Sequence, residues 1–270
     1  MVTNKNIGCL IMAVGAKYVK LGDCAKDSFI KFHPDIPLYY FSDSAFRGAP
    51  RGVLKYDIAR AVMQAKSLKK LIILGADTIT CSRLDEFMDN DEDILCSLDY
   101  PYPFESPRFS TQPHQSHVNA DVVCFNSLSA LDKVIEVSQY HGTYYEQGGL
   151  NEVVWSDDYS FTSKIVDGPY EQSDVVYNAR AKGNIVAGPG EKPWAKYTRQ
   201  FYVKDDKLYT RDHKQIKVWH YCEGFGGVSE ERMDELISSW ARDWFNDETK
   251  KFFTEVCDCK EFFKQETFVQ

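Results

Sequence analysis

Apolar residues in the first half of the chain fall in short unbroken runs separated by longer stretches of helical spacing. Ile7–Val14, Leu38–Phe41, Leu71–Leu74, Ile94–Leu98 and Val118–Phe125 read as strands. They do not alternate apolar with polar, which predicts burial on both faces. Between them, Tyr18–Phe32 carries Val19, Cys24, Phe29 and Ile30 at helical spacing, and Pro34 stops it. Tyr56–Ala65 places Ile58, Ala61, Val62 and Ala65 on one face, and Leu128–Tyr140 and Tyr145–Trp155 are further helices. Ser82 with Asp85 has the form of a capping box. Strand and helix in alternation predict an α/β fold: a mostly parallel sheet covered by helices on both faces, with ligands at the carboxyl ends of the strands.

The run "KKLIILGADTIT", Lys69–Thr80, ends a strand with Gly75, Ala76 and one acid, Asp77. That position suits a ligand contact and equally suits a turn aspartate. The second half is less regular. Asp99–His117 is rich in proline, serine and aromatics and reads as a loop of functional length. Gln200–Tyr221 reads as a hairpin turning at Asp205-Asp206-Lys207, then another strand. Met233, Leu236, Ile237, Trp240 and Trp244 form an amphipathic stripe, the mark of a terminal helix docked on the core.

Composition narrows the function classes. With 43% hydrophobic and 14% aromatic residues, the 270-residue chain can bury a sizeable core. Its net charge of −8, without blocks of Lys or Arg, argues against a nucleic-acid groove. Eight cysteines show no disulfide framework and read as reduced packing thiols. The apolar run near the N-terminus is too short to span a bilayer. A soluble cytoplasmic protein is the expectation. His114 and His117 form H-x-x-H without a completing ligand pair, so zinc is not assigned.

Five segments in order resemble those of GT-A fold nucleotide-sugar glycosyltransferases of the glycogenin and galactosyltransferase-like group. They are "YDIARAVMQ", "LIILGADTIT", "HVNADVVCFNS", "EQGGLNEV" and the pair "VVYN" and "VWHY". Compact soluble enzymes with which large DNA viruses glycosylate their capsids are similar. The resemblance spans Asn6–Gly227. It implies a glycosyltransferase domain over residues 1–228, a Rossmann-like sheet with a smaller irregular acceptor-side region, and a helical extension over 229–270. It further implies a nucleoside-diphosphate sugar donor, UDP rather than GDP, and a glycan or glycoprotein acceptor. A Mn2+ or Mg2+ ion is implied on Asp77 and His220. Tyr18, Arg60, Ala76, Asp77 and Asn119 would contact the donor, with Lys192 from the glycine-rich stretch "AGPGEKPW". Glu146 and Asp121 are the candidate catalytic carboxylates; Gln147 and Asn151 would face the acceptor sugar.

Two positions depart from the family pattern. Gly75 stands where the family has the first acid of its D-x-D motif, and Asp121 stands where it has the glycine of N-A-G-V. Without the resemblance, His220 also reads as a hydrogen-bonded strand-end histidine, Arg60 as a surface arginine and Glu146 as a helix N-terminal acid. A non-catalytic nucleotide- or sugar-binding module of the same fold and a sugar-1-phosphate nucleotidyltransferase are the competing classes. The second fits poorly, because "AVGAKYVKLGD" after the first strand lacks its glycine-rich signature.

Overall fold

The computed structural model of the chain describes residues 6–43, 53–99, 117–140, 145–169, 172–180, 201–210, 212–220 and 247–257. Arg47, Arg51, His114, Gly142, the 187–194 stretch with Lys192, Cys259 and the 233–244 stripe lie outside them.

Five strands build the middle of the molecule: β1 (Ile7–Val14), β2 (Leu38–Asp43), β3 (Lys70–Gly75), β5 (Ile94–Leu98) and β6 (Val118–Phe125). With β7 (Ser163–Ile165) they form a six-stranded sheet of order β2-β1-β3-β6-β5-β7. β1 pairs parallel with both β2 and β3, and β5 pairs parallel with β7. Only β6 runs against its neighbours β3 and β5. Every residue of β3 and β5 is buried, as their uniform apolar runs require. Helices α1 (Ala16–Phe32), α2 (Val53–Lys66), α4 (Leu128–Ser138) and α5 (Tyr145–Trp155) cover the faces. One core cluster gathers Leu71, Ile73, Val123 and Phe125 with Tyr56, Val62, Leu131 and Val134. The opposite one gathers Ile72, Leu74, Val122 and Cys124 with Ala25 and Phe29.

The chain passes from β1 to β2 on one side and then returns to β3 on the other. The carboxyl ends of β1 and β3 therefore flank a switch point, where open α/β sheets place their ligands. Gly15 turns the chain from β1 into α1 at φ 94, a conformation that costs glycine little.

Among the described residues, two small sheets stand beside the six-stranded one. One has the order β4 (Thr78–Thr80), β13 (Val218–His220), β9 (Ala179–Arg180). The other has the order β10 (Phe201–Lys204), β11 (Lys207–Thr210), β12 (Gln215–Ile216), β8 (Val175–Val176). The predicted hairpin is β10–β11. Asp205 and Asp206 at φ 50 and 56 make its two-residue turn, the geometry that matches strand twist. The C-terminal helix α6 (Asp247–Cys257) packs Phe252, Phe253 and Val256 on Trp219, Ile79 and Leu21.

Three local expectations change. The short helix α3 (Asp85–Met88) begins at Asp85, with Leu84 as its cap and no side-chain cap bond. Ser82 instead bonds the Arg83 carbonyl, and the Leu84 N–H donates to His33 Nε2. On α2 the buried positions are Lys55, Tyr56, Ala59, Val62 and Met63, while Ala61 and Ala65 face outward. Finally, Cys9, Cys81, Cys96 and Cys124 are buried thiols, but Cys24 is disulfide-bonded, so the all-reduced reading does not hold there. No helix among the described residues is long and apolar enough to cross a membrane.

Candidate active site

Asp77 and His220 lie 143 residues apart, and strand register joins them. β4 leaves the end of β3 and pairs antiparallel with β13, placing His220 opposite Thr78, the residue after Asp77. On the other side of β13, His220 pairs with Arg180 of β9, which brings up Asn178 just before that strand. His220 is 1% exposed and Asp77 retains 16% side-chain exposure. The three-stranded sheet therefore carries one edge of the site.

The hydrogen bonds around His220 determine its tautomer. Asn178 donates its Nδ2 to the carbonyls of Leu98 and Asp99, at 2.9 and 3.1 Å. Its Oδ1 is thereby left as an acceptor, 2.8 Å from His220 Nδ1, so Nδ1 carries the proton. In the neutral ring Nε2 is then a lone pair, and it faces Asp77 Oδ1 at 3.2 Å. Two acceptors at that distance need a cation between them: a second ring proton or a metal ion.

Asp121 comes from the start of β6. Ligand atoms of Asp77, Asp121 and His220 all lie within 4.8 Å of one another. Two carboxylates and one imidazole suit a hard or borderline divalent cation with bonds of about 2.0–2.6 Å, so the residues fit such an ion. The Asn178 contact is the outer-shell support that ligating histidines generally have.

Lys55, which the sequence reading did not single out, stands at the other edge. Its Nζ bonds Asp121 Oδ1 and lies 3.5 Å from Glu146 Oε1. Burial would push its pKa down, but Asp121 and then Glu146 outweigh burial and raise it, so the ammonium stays charged. The signal was legible in principle: Lys55, Ala59, Val62 and Met63 share the inner stripe of α2, and a charge there needs a partner. Arg60 is 41% exposed and pairs with Asp57 at 3.0 Å and Asp132 at 3.7 Å, on the outer side of the helix. Lys55 is the α2 cation that reaches the site.

The other sequence candidates divide by what their side chains already hold. The pKa of the Tyr18 hydroxyl is pushed up to about 12, by burial first and then by the charges of Asp77 and Asp121. Ala76 is buried at the β3–β4 junction. Asn119 donates to Asp99 Oδ1 at 2.8 Å and accepts from the Asp121 N–H at 2.8 Å. Gln147 donates to Asp99 Oδ2 at 3.3 Å and accepts from the Ala120 N–H at 3.4 Å. Asn151, fully buried, accepts from the Val118 N–H and donates to the carbonyls of Val118 and Gln147. It ties α5 to β6. Asp99, unnoticed in the sequence, holds both Asn119 and Gln147. Asp167 accepts from the N–H groups of Leu98 and Tyr177, both at 2.8 Å.

No family model and no curated protein matches the chain. Among solved structures, the bifunctional glycosyltransferase WbbM is similar at a TM-score of 0.53 and 14% identity. The match covers 94% of this chain and 52% of WbbM, so the chain spans about half of that protein's length. The fold is GT-A type. A glycosyltransferase involved in glycosylation of the major capsid of PBCV-1 is similar at a TM-score of 0.47 and 14% identity, covering 85% and 98% of the two chains. The galactosyltransferase LgtC, solved with donor and acceptor sugar analogues, follows at 0.46 and 15%, covering 91% and 99%. At these identities the likeness is one of fold, and the function rests on the site.

Proposed function

We propose that the chain is a glycosyltransferase that moves a sugar from a nucleoside-diphosphate donor, UDP rather than GDP, to a glycan or protein-linked acceptor. The observation that carries this reading is the Asp77–His220 contact, two acceptors that need a cation, at the switch point of a GT-A type sheet. Asp77 and His220 would hold Mn2+ or Mg2+. When bound there, a divalent cation supplies charge stabilisation to a leaving diphosphate.

The remaining roles belong to the chain's own groups. Tyr18 and the Ala76 backbone lie on the donor side. Asn119, Gln147 and Asn151 act as positioning residues, since their amides already hold Asp99, β6 and α5. Glu146, near the start of α5, is the carboxylate assigned to accept the acceptor hydroxyl's proton. It keeps 22% exposure and lies within ion-pair distance of Lys55. Lys192, in the glycine-rich stretch "AGPGEKPW" whose glycines would let backbone approach a phosphate, is retained as a donor contact.

Thermal shift with UDP, GDP and their sugars, with and without Mn2+, tests the reading. A nucleoside diphosphate near 100 times its Kd stabilises the folded chain by about 2.7 kcal/mol, which for a chain of this size is a rise of roughly 5–10 °C. The shift is expected with Mn2+ and lost in Asp77→Asn and in His220→Ala. The double variant should lose little more Mn2+ affinity than the worse single one, because both hold one ion. Release of UDP from the sugar nucleotide separates transfer chemistry from binding alone. The proposal fails if no nucleotide or sugar nucleotide shifts the melting temperature.

A further inference from the structure

Gly75 ends β3 without a side chain. A Cβ built on it would lie 2.9 Å from Asp121 Cβ, 3.2 Å from Asp121 Cγ and 2.9 Å from Asp77 Oδ1. Contacts that close force displacement, so the space beside the end of β3 is already filled. Its occupants are the carboxylate of Asp121, from another strand, and one oxygen of Asp77. The register explains how: β3 and β6 pair antiparallel, Leu74 lies opposite Val122, and one step further Gly75 meets Asp121. Residues opposite each other in an antiparallel pair project from the same face. An acid at 75 and an acid at 121 would therefore compete for one place.

Resting on the metal reading above, we propose that positions 75 and 121 form a single exchangeable carboxylate seat. Asp121 supplies from β6 the second carboxylate of the cation site, and Gly75 must stay bare for it to do so. A carboxylate has two oxygens, so Asp121 can hold Lys55 with one and a cation with the other. The two departures from the family pattern, the missing acid at 75 and the extra acid at 121, are then one exchange across a strand pair rather than a lost ligand and an unrelated charge.

Titration of Mn2+ into the full chain without nucleotide, followed by calorimetry or by loss of the free Mn2+ spin-resonance signal, tests this. The set is wild type, Asp121→Gly, Gly75→Asp, the double Gly75→Asp/Asp121→Gly, and Asp77→Asn as control. Asp121→Gly is expected to weaken Mn2+ binding at least ~10-fold. Gly75→Asp should also weaken it, and lower the melting temperature, by crowding two carboxylates into one seat. The double should return to within ~3-fold of wild type, as coupled neighbours do. If Asp121→Gly folds poorly, Asp121→Asn keeps the shape and should show the same loss of Mn2+. A double no better than the worse single, or wild-type binding in Asp121→Gly and Asp121→Asn, overturns the proposal. If Asp77→Asn loses Mn2+ while both Asp121 variants keep it, the metal reading stands and the exchange alone falls. If the wild type takes up no Mn2+, both fall.

Discussion

The six-stranded sheet and the three-stranded sheet β4-β13-β9 use the same backbone pairing for different ends. β3 is six residues long, is buried throughout and has a full-length neighbour on each side. β4 and β13 have three residues each, and β9 has two. The large sheet gathers apolar area, where folding free energy accumulates. The small one is short-stranded, yet it buries Ile79 and Trp219 and sets Asp77 and Asn178 each within hydrogen-bonding distance of His220. The small sheet adds placement of the site's side chains to its share of the core, and substitutions in the two regions should fail differently.

The largest effect should come from the large sheet. Ile72→Ala, in the middle of β3 and fully buried, is expected to cost about 2–5 kcal/mol, read as a lowered urea midpoint. Mn2+ affinity of the molecules that remain folded should be unchanged. A matching loss of Mn2+ affinity would show that the two regions are not separable.

Asp167 sharpens the comparison from the boundary between them. It joins Leu98, the last residue of β5, to Tyr177 beside Asn178. Burial pushes its carboxyl up to about 7, against the pull of the two backbone N–H groups. A raised folded-state pKa means that its contribution is full below about pH 4 and is lost as pH rises towards 7. The stability gap between wild type and Asp167→Asn should therefore narrow over that window, by on the order of 3 kcal/mol. Chemical denaturation at several pH values measures it, and a flat or widening gap would contradict the assignment.

The smallest effect on stability, and the most diagnostic for placement, is expected at Asn178. Asn178→Ala removes the acceptor that holds the proton on His220 Nδ1, and Mn2+ affinity should fall about 10–100-fold. The melting temperature should change less than in Ile72→Ala. Unchanged Mn2+ affinity would mean that the tautomer is held by something else.

How much of this was legible beforehand followed from the range of the interactions. β1, β5, β6 and α5 begin and end where the residues predicted, because an unbroken apolar run or a helical stripe is a local signal. Asp77 could be placed at a strand end for the same reason. The face of α2 was misplaced by part of a turn: Lys55 interrupts the apolar stripe, and its partners Asp121 and Glu146 are distant in sequence. Arg60 came forward from the resemblance of this helix, and Lys55 is seen only through its distant partners. Asn119 and Asn151 stand in a linear motif as ligand contacts, and their bonds to Asp99, Val118 and Gln147 depend on the fold and could not be read there. The complementarity of Gly75 and Asp121 depends on strand register, which no single segment contains.

The pairing of His220 with Thr78 also bears on the order in which the molecule can assemble. β1, β2, β3, β5 and β6 lie within the first 125 residues and find one another over short separations. Closing the loop from β4 to β13 spans some 140 residues, and its length-dependent entropy alone is about 4 kcal/mol by the (3/2)RT ln n rule. Three residues of ladder on each strand repay little of that, so the pairing gains from being made onto a sheet that already stands. The candidate site should be the last part of the described structure to form during folding and the first to open under denaturant, with hydrogen exchange faster along β13 than along β3.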